Sequence, residues 1–359
     1  MVGRPMSLIL FDSARATKVE FMPRHPEDVR VYSCGPTEHA RKPLAELRPY
    51  VVVDVFKRRL RARGHTVRHV IPISDARARA TIFQRDLALL GVETPSVWAK
   101  ASKHTDGEHS LLAREHLGDE IDALTGSVEQ IHVRRESERT LAHAFGKEPR
   151  VGHWLHTHPV LSHERSGSTL EDLSVDDLVK HRISPRAYRL LLLGTHYRHK
   201  LFFSWEALRA SAGAYRELAK QVALLSTKPC LQTSDRGAEL RRGFEQALDD
   251  DLNTPRALGV LWATLAHPLL ESSDKRRLVL EMDGLLGLDL ADRGALFLAE
   301  REQQFLTPPL MNLVEERTRA RAAGDFARAD ALRFELEQLG FCVEDHRDGT
   351  RVRHRATLD

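Results

Sequence analysis

The sequence is poor in cysteine. Three occur in 359 residues, at Cys34, Cys230 and Cys342. They form neither a disulfide framework nor a CxxC pair, which excludes a stapled secreted scaffold and suits a reducing cytosol. No apolar run approaches the roughly 20 residues of a membrane span. The apolar stretch after Arg4, residues 6–11, is too short for a signal peptide. A large excess of one charge is also lacking. With 54 Lys and Arg against 51 Asp and Glu the net charge is +3, so no global basic field announces a nucleic acid. Arg outnumbers Lys, which follows from base composition as readily as from phosphate recognition. No internal repeat or low-complexity stretch is visible. These absences leave an expected soluble, cytoplasmic chain of two or three domains, with an ordinary 42% hydrophobic and 29% charged residues.

Residues 29–65 organise the rest. Val29, Val31 and Tyr32 form a short apolar run of the buried parallel-strand type, broken by Gly35 and Pro36. Residues 50–64 read as a helix with a basic last turn and Gly64 as its stop. Residues 65–75, with Val67, Val70, Ile71 and Ile73, return as a second strand. The unit is βαβ, its crossover right-handed, and its first loop lies where such folds bind ligands.

Around this unit, residues 7–12 and 17–22 read as strands flanking a turn near Ser13. Residues 75–90 read as a helix with Ala80, Phe83, Leu87 and Leu90 on one face. Residues 160–172 are expected to hold a strand and a loop, followed by helical segments at 173–178 and 182–197. A long helix begins near Phe203, with Ser204 as N-cap. Residues 226–236 turn to Thr, Pro, Ser, Asp and Gly, a linker composition. Residues 243–288 are helical again, and Asn253-Thr254-Pro255 is a helix start by capping rules. Residues 310–339 read as two helices hinged near Gly324, and residues 340–353 as a terminal hairpin.

Cys34-Gly35-Pro36-Thr37, with Asp54 twenty positions after the cysteine, resembles the opening of a cysteinyl-tRNA synthetase, a class I aminoacyl-tRNA synthetase. The strings 249–255 and 325–333 resemble the same family's helical and C-terminal regions. The resemblance runs the whole length, except that part of the family's connective insertion is missing ahead of Leu117. It implies an α/β fold: a Rossmann-like nucleotide-binding domain over 1–225, with 85–125 a remnant of the insertion. A helical anticodon-binding-type domain over 226–300 and a small domain of helices and a hairpin over 301–359 follow.

The resemblance also sets expectations for chemistry. Class I synthetases stabilise the phosphates with two signature histidines and with lysines of a mobile loop. Such donors are worth on the order of 10²–10³ in rate each. Here the first signature position holds Pro43-Leu44-Ala45-Glu46, so both imidazoles are gone and Glu46 would repel a triphosphate. The second signature falls at 165–169. Arg165 could still clamp a phosphate, whereas Ser168 replaces a lysine. Arg41 and Lys42 are the other nearby candidates for a clamp. Cys34, Gly35, Thr37, Glu129, Trp154 and His156 are the expected ligand-binding positions, Glu129 standing where the family has an acid for the substrate amino group. The family holds zinc with two Cys, a His and a Glu. Cys34 and Glu138 match two ligands, but the His position falls at Arg134, which cannot ligate metal. Zinc is therefore not expected, and ATP is the cofactor the family implies. The bland reading of His153, His156, His158 and His163 is a packed polar edge. That of Arg317, Arg319 and Arg321 is an exposed basic helix face.

Three functional readings follow. The first is a homologue that keeps the fold, no longer charges tRNA efficiently, and binds tRNA through its C-terminal domains or serves a protein partner. The second is a synthetase-like ligase with a changed amino acid or acceptor, its pocket lined by Arg134, Arg135 and Glu138. The third is an ordinary cysteine–tRNA ligase. The small net charge predicts weak, salt-sensitive tRNA binding.

Overall fold

The computed structural model describes residues 7–34, 43–74, 77–101, 106–129, 150–162, 170, 173–228, 234–296, 308–339, 341–346 and 349–354. The chain divides into two compact units. One comprises residues 1–215 and 229–289, the other residues 216–228 and 290–359.

In the first unit a lead-in hairpin pairs β1 (Ile9–Asp12) with β2 (Thr17–Glu20). The buried apolar residues of β3 (Val29–Ser33), Val29, Val31 and Tyr32, then enter the sheet. A 3-10 turn, Leu44–Leu47, leads into α1 (Arg48–Ala62), and Gly64 ends the segment at φ +91°, a conformation that favours glycine. β4 (Val67–Ser74), α2 (Arg77–Leu89), β5 (Val97–Ala101), α3 (Asp106–Leu117), β6 (Glu120–Ser127) and β7 (Arg150–Thr157) complete a parallel sheet of order β5-β4-β3-β6-β7. Phe83 and Leu87 of α2, and Leu90 just beyond it, are buried as the helical period requires. Strand β5 and helix α3 have no counterpart in the sequence reading. A short parallel pair, β8 (Val160–Ser162) and β9 (Leu201–Phe203), brackets α4 (Val175–Lys180) and α5 (Pro185–Leu193).

Helix α6 (Trp205–Leu224) starts on Ser204, whose hydroxyl accepts from Ala207 N–H at 3.1 Å. Three helices follow: α7 (Asp235–Asp249), α8 (Thr254–Ala266) and α9 (Ser272–Leu286). Asn253 caps α8 through Arg256 N–H at 3.1 Å, as expected.

The acidic run at 249–251 staples this helical segment to the sheet domain. Asp249 takes a bidentate pair from Arg59 of α1 at 2.8 Å on each oxygen, and a further bond from Arg63 at 3.0 Å. Asp250 pairs with Lys18 of β2 at 2.6 Å. Asp251 accepts from Phe11 N–H at 2.8 Å and from the Tyr197 hydroxyl, and forms an ion pair with Arg198 at 2.6 Å. Asp251 and Leu252 sit in left-handed backbone, φ 60° and 47°, a strained conformation that these bonds hold in place.

Asp54 does the same one turn earlier on α1. Its wholly buried carboxylate accepts from Arg189 at 2.6 Å, from Arg58 at 2.8 Å and from Glu93 N–H at 2.8 Å. Burial alone would raise its pKa. The charges of Arg189, Arg58 and Lys57, with the Glu93 N–H, outweigh burial and hold it below the ordinary carboxylate value. The same bases cap the carbonyls after α2: Arg189 donates to Leu90, Arg58 to Gly91 and Lys57 to Glu93. Cations there also complement the negative end of the helix dipole. Gly91, at φ +77°, has no room for a Cβ, which would lie 1.1 Å from the Arg186 guanidinium.

In the second unit α10 (Pro308–Ala322) and α11 (Phe326–Gln338) are joined through Gly324 at φ +76°. Asp325 caps α11, and Arg328 bridges to Glu316 at 2.6 Å. The hairpin β10 (Phe341–His346) and β11 (Gly349–His354) packs Phe341 and Val343 against Leu336, Leu313 and Val314. The expectation of an exposed basic face holds for Arg319 and Arg321. It fails for Arg317, which is wholly buried, because position 317 lies on the inward side of the helix.

Removing the charge in Asp54→Asn leaves Arg189 buried without its counter-charge. It should lower the free energy of unfolding by about 3–5 kcal/mol, measured by urea titration at neutral pH. Because the folded pKa is depressed, Asp54 contributes fully above its unfolded value near 3.8, and that contribution is lost as pH falls below it.

Candidate functional site

The strand order reverses between β3 and β6, and ligands of open α/β sheets bind outside the carboxyl ends of the strands at such a point. β3 ends at Ser33 and Cys34, and β6 ends at Thr125–Ser127. A buried polar chain ties the two ends together. The Ser33 hydroxyl meets His69 Nε2 at 2.8 Å and Thr125 Oγ1 at 2.7 Å. Cys34 N–H donates to the Thr125 carbonyl at 2.9 Å, and the Tyr50 hydroxyl donates to the Cys34 carbonyl at 2.7 Å. The Tyr50 phenol is pushed well up by burial, then by the nearby Cys34, Glu46 and Tyr32 groups. Cys34 is half-buried.

The turn at 43–46, which the sequence resemblance assigns to the first signature, lies at the head of α1. Pro43 is extended, and the 3-10 turn begins at Leu44. Leu44 is a core residue: its N–H donates to the Leu173 carbonyl at 2.8 Å, and its carbonyl accepts from the Tyr188 hydroxyl at 2.8 Å. Ala45 and Glu46 are half-buried. Arg48, the first residue of α1, is buried and donates to four backbone carbonyls. Nη1 reaches His158 at 2.9 Å and His199 at 2.7 Å, and Nη2 reaches Thr195 and His196 at 3.0 Å each. Burial lowers its pKa to about 10, so it stays charged at neutral pH. The cation nearest the signature turn among the described residues is thus committed to holding loops. The sequence reading did not single it out.

On β7, next to β6, the rings of Trp154 and His156 stack at 5.8 Å. The backbone N–H and hydroxyl of Ser13 both donate to the Trp154 carbonyl, at 3.0 and 2.9 Å. The Ser13 hydroxyl also meets His156 Nδ1. Buried His153 approaches the Phe11 carbonyl at 3.3 Å. His153 and His156 therefore pack as a polar edge, as the bland reading held. Glu129 is exposed on the turn after β6, its N–H 3.4 Å from Ser127 Oγ.

The structure therefore brings Cys34, the 43–46 turn and Tyr50 together, and places Trp154 and His156 on the outer strand beyond β6. Gly35, Thr37, Arg41, Lys42, Arg134, Arg135, Glu138, His163, Arg165 and Ser168 lie outside the described residues. So do the side chains of Cys230 and Cys342. Among the described residues no three His, Cys, Asp or Glu side chains converge to hold a metal ion. The donor set read from the sequence does not fit zinc, because a guanidinium at position 134 offers no lone pair. His69, missed in the sequence, could be found only as a lone histidine inside the apolar run of β4.

The parallel sheet with its switch point, and the helices that follow it, fit the α/β fold of a class I aminoacyl-tRNA synthetase. Three family models match along the chain: the class I (C) tRNA synthetase catalytic domain over residues 89–213, the DALR domain over 243–267 and the cysteinyl-tRNA ligase anticodon binding domain over 306–353. A cysteine–tRNA ligase of Zymomonas mobilis is 25% identical over 504 residues, covering 96% of this chain and 97% of its own. One from Burkholderia lata is 25% identical over 467 residues, covering 97% of each. A solved Mycobacterium tuberculosis methionyl-tRNA synthetase in complex with methionyl-adenylate aligns at 10% identity with a TM-score of 0.48, covering 75% of this chain and 90% of that one. Along nearly its whole length the chain is thus similar to cysteine–tRNA ligases, which are ATP-dependent enzymes. An alignment of 504 residues against a chain of 359 means that the relative carries stretches this chain lacks.

Burial lowers the pKa of His69 well below 6.5, that of His153 below it, and that of His196 to about 4. The unfolded chain therefore binds protons near pH 6.5 that the folded chain refuses. Stability should be full above pH 6.5 and fall towards pH 4, by about 1.4 kcal/mol per unit of pH for each histidine within its window. Urea midpoints measured from pH 7.5 to 4.5 check this, and a His69→Gln variant should show a shallower slope.

Proposed function

We propose that this protein is a cysteinyl-tRNA synthetase relative that no longer activates cysteine and acts by binding tRNA. One observation carries the reading. At the head of α1, beside the switch point, the residues that should face the triphosphate are Pro43, Leu44, Ala45 and Glu46. Adenylation joins a carboxylate to the α-phosphate of ATP and expels pyrophosphate, so charge grows on the phosphates as the bond breaks. Imidazoles at this turn would meet that charge, and a carboxylate opposes it. Proline offers no N–H, and Leu44 gives its N–H to Leu173.

Arg48 does not compensate. Its guanidinium is buried on four carbonyls, and turning it towards a phosphate would strand them. At the second signature, Arg165 keeps one cation and Ser168 has none. Losses within one site are not additive, but a site lacking this many donors retains little transition-state stabilisation.

What supports tRNA as the remaining ligand is the match of residues 306–353 to an anticodon binding domain and of residues 243–267 to a DALR domain. The exposed Arg319 and Arg321 on α10 are suited to phosphate contacts, which position without reading sequence.

The reading makes two measurable statements. ATP–pyrophosphate exchange with cysteine should stay at background, and exchange at a rate typical of a synthetase overturns it. Filter binding of tRNA at a series of salt concentrations should show affinity falling linearly on a log–log plot. Arg319→Ala should reduce the slope by about one.

A further inference from the structure

Strand β5 closes one side of the parallel sheet. It pairs with β4 and, among the described residues, with no other strand. Its outer flank presents backbone N–H and C=O groups, a template for another strand. Proteins usually block such a flank with proline, a bulge, charge or a covering segment. Val97-Trp98-Ala99-Lys100-Ala101 contains no proline, and it runs in register with β4 at all five positions, without a bulge. The sequence reading places the shortened insertion between this strand and Leu117, where a longer chain would have material to lay beside it. The strand's one charge is the exposed Lys100.

The two faces of β5 are well defined. Ala99 packs in the core cluster with Ala113 and Leu117 of α3, against which Val97 also packs. Trp98 lies on the opposite face, its ring edge-on to Phe83 of α2 at 6.1 Å. Lys100 shares that face by the two-residue period of a strand.

We infer that β5 is the edge through which two copies of this chain associate. They pair antiparallel about a two-fold axis through Ala99, so that the two sheets run on as one. The strand is self-complementary. In this register Trp98 stands directly opposite the partner's Lys100, and Lys100 opposite the partner's Trp98. The charge that would guard a solitary edge then lies against an indole, a cation–π contact made twice by symmetry. The other registers within the strand set that ammonium opposite Val97, an alanine or the partner copy's own Lys100, where like charges repel. A stable dimer buries on the order of 1,200–2,000 Å², more than a five-residue ladder supplies. Leu111 of α3 and Leu89 of α2, 47% and 38% exposed, are apolar residues on the two helices adjoining the strand in sequence, free to add to the buried area.

Sedimentation equilibrium of the full chain tests this over a wide range of loading concentrations. The expected result is a monomer–dimer equilibrium. Lys100→Glu should weaken it about tenfold or more, while Lys100→Arg preserves it. Lys100 is exposed, so both variants should keep the parent's circular dichroism spectrum and urea midpoint. A chain that stays monomeric at every concentration overturns the inference. So does a dimer that Lys100→Glu leaves intact, because the contact would then lie elsewhere.

Discussion

The buried pair of Asp54 and Arg189 is the constraint on which the first unit depends. A carboxylate with no exposure is tolerable only if every lone pair is met, and here two guanidinium groups and one backbone N–H meet it. Those donors come from α1, α5 and the turn after α2. Arg189 also reaches the Leu286 carbonyl at 2.6 Å and Arg58 the Gly284 carbonyl at 2.8 Å, so α9 is held by the same cluster. Gly91 and Gly287 are glycines because the guanidinium groups pass over them, each at positive φ with no room for a Cβ. Charge, helix termini and glycine placement are thus one arrangement, and α1 is its axis.

A rigid α1 has a consequence at its other end. Arg48 fixes the first turn to two loops, and Leu44 is held at both its N–H and its carbonyl. The turn that the sequence resemblance assigns to the phosphate donors is well formed and firmly supported, and in the proposed reading it carries different side chains. Scaffold and chemistry separate here. The groups that hold the fold are Asp54, Arg48, Arg189 and Asp249–Asp251, and they are intact. In the proposed reading the positions that would act on ATP hold Pro43, Ala45 and Glu46, none of which offers a side-chain donor to a phosphate. A fold outlives a site when the two rest on different residues.

Much of this was legible in the sequence. The βαβ opening, the Gly64 stop, the Gly324 hinge, and the Ser204 and Asn253 caps follow from local rules and appear where those rules put them. Strand β5 was not legible. Five residues containing two alanines and a lysine give no apolar run, and only pairing with β4 makes them a strand. Arg317 was misread because an arginine between other arginines looks solvated, and burial depends on which side of α10 meets its neighbours. Asp54 was found by its spacing from Cys34, but its work with Arg189, distant in sequence, needs the tertiary structure. Ser33, His69 and Thr125 come from three strands, and no local pattern joins them.

The central claim is that the nucleotide site no longer recognises ATP. Calorimetric titration of ATP into the full chain at low salt, with and without cysteine, tests it most directly. The account predicts no measurable heat of binding in either case. Saturable ATP binding that cysteine strengthens would contradict it, because the phosphates would then be held by groups other than the signature turn.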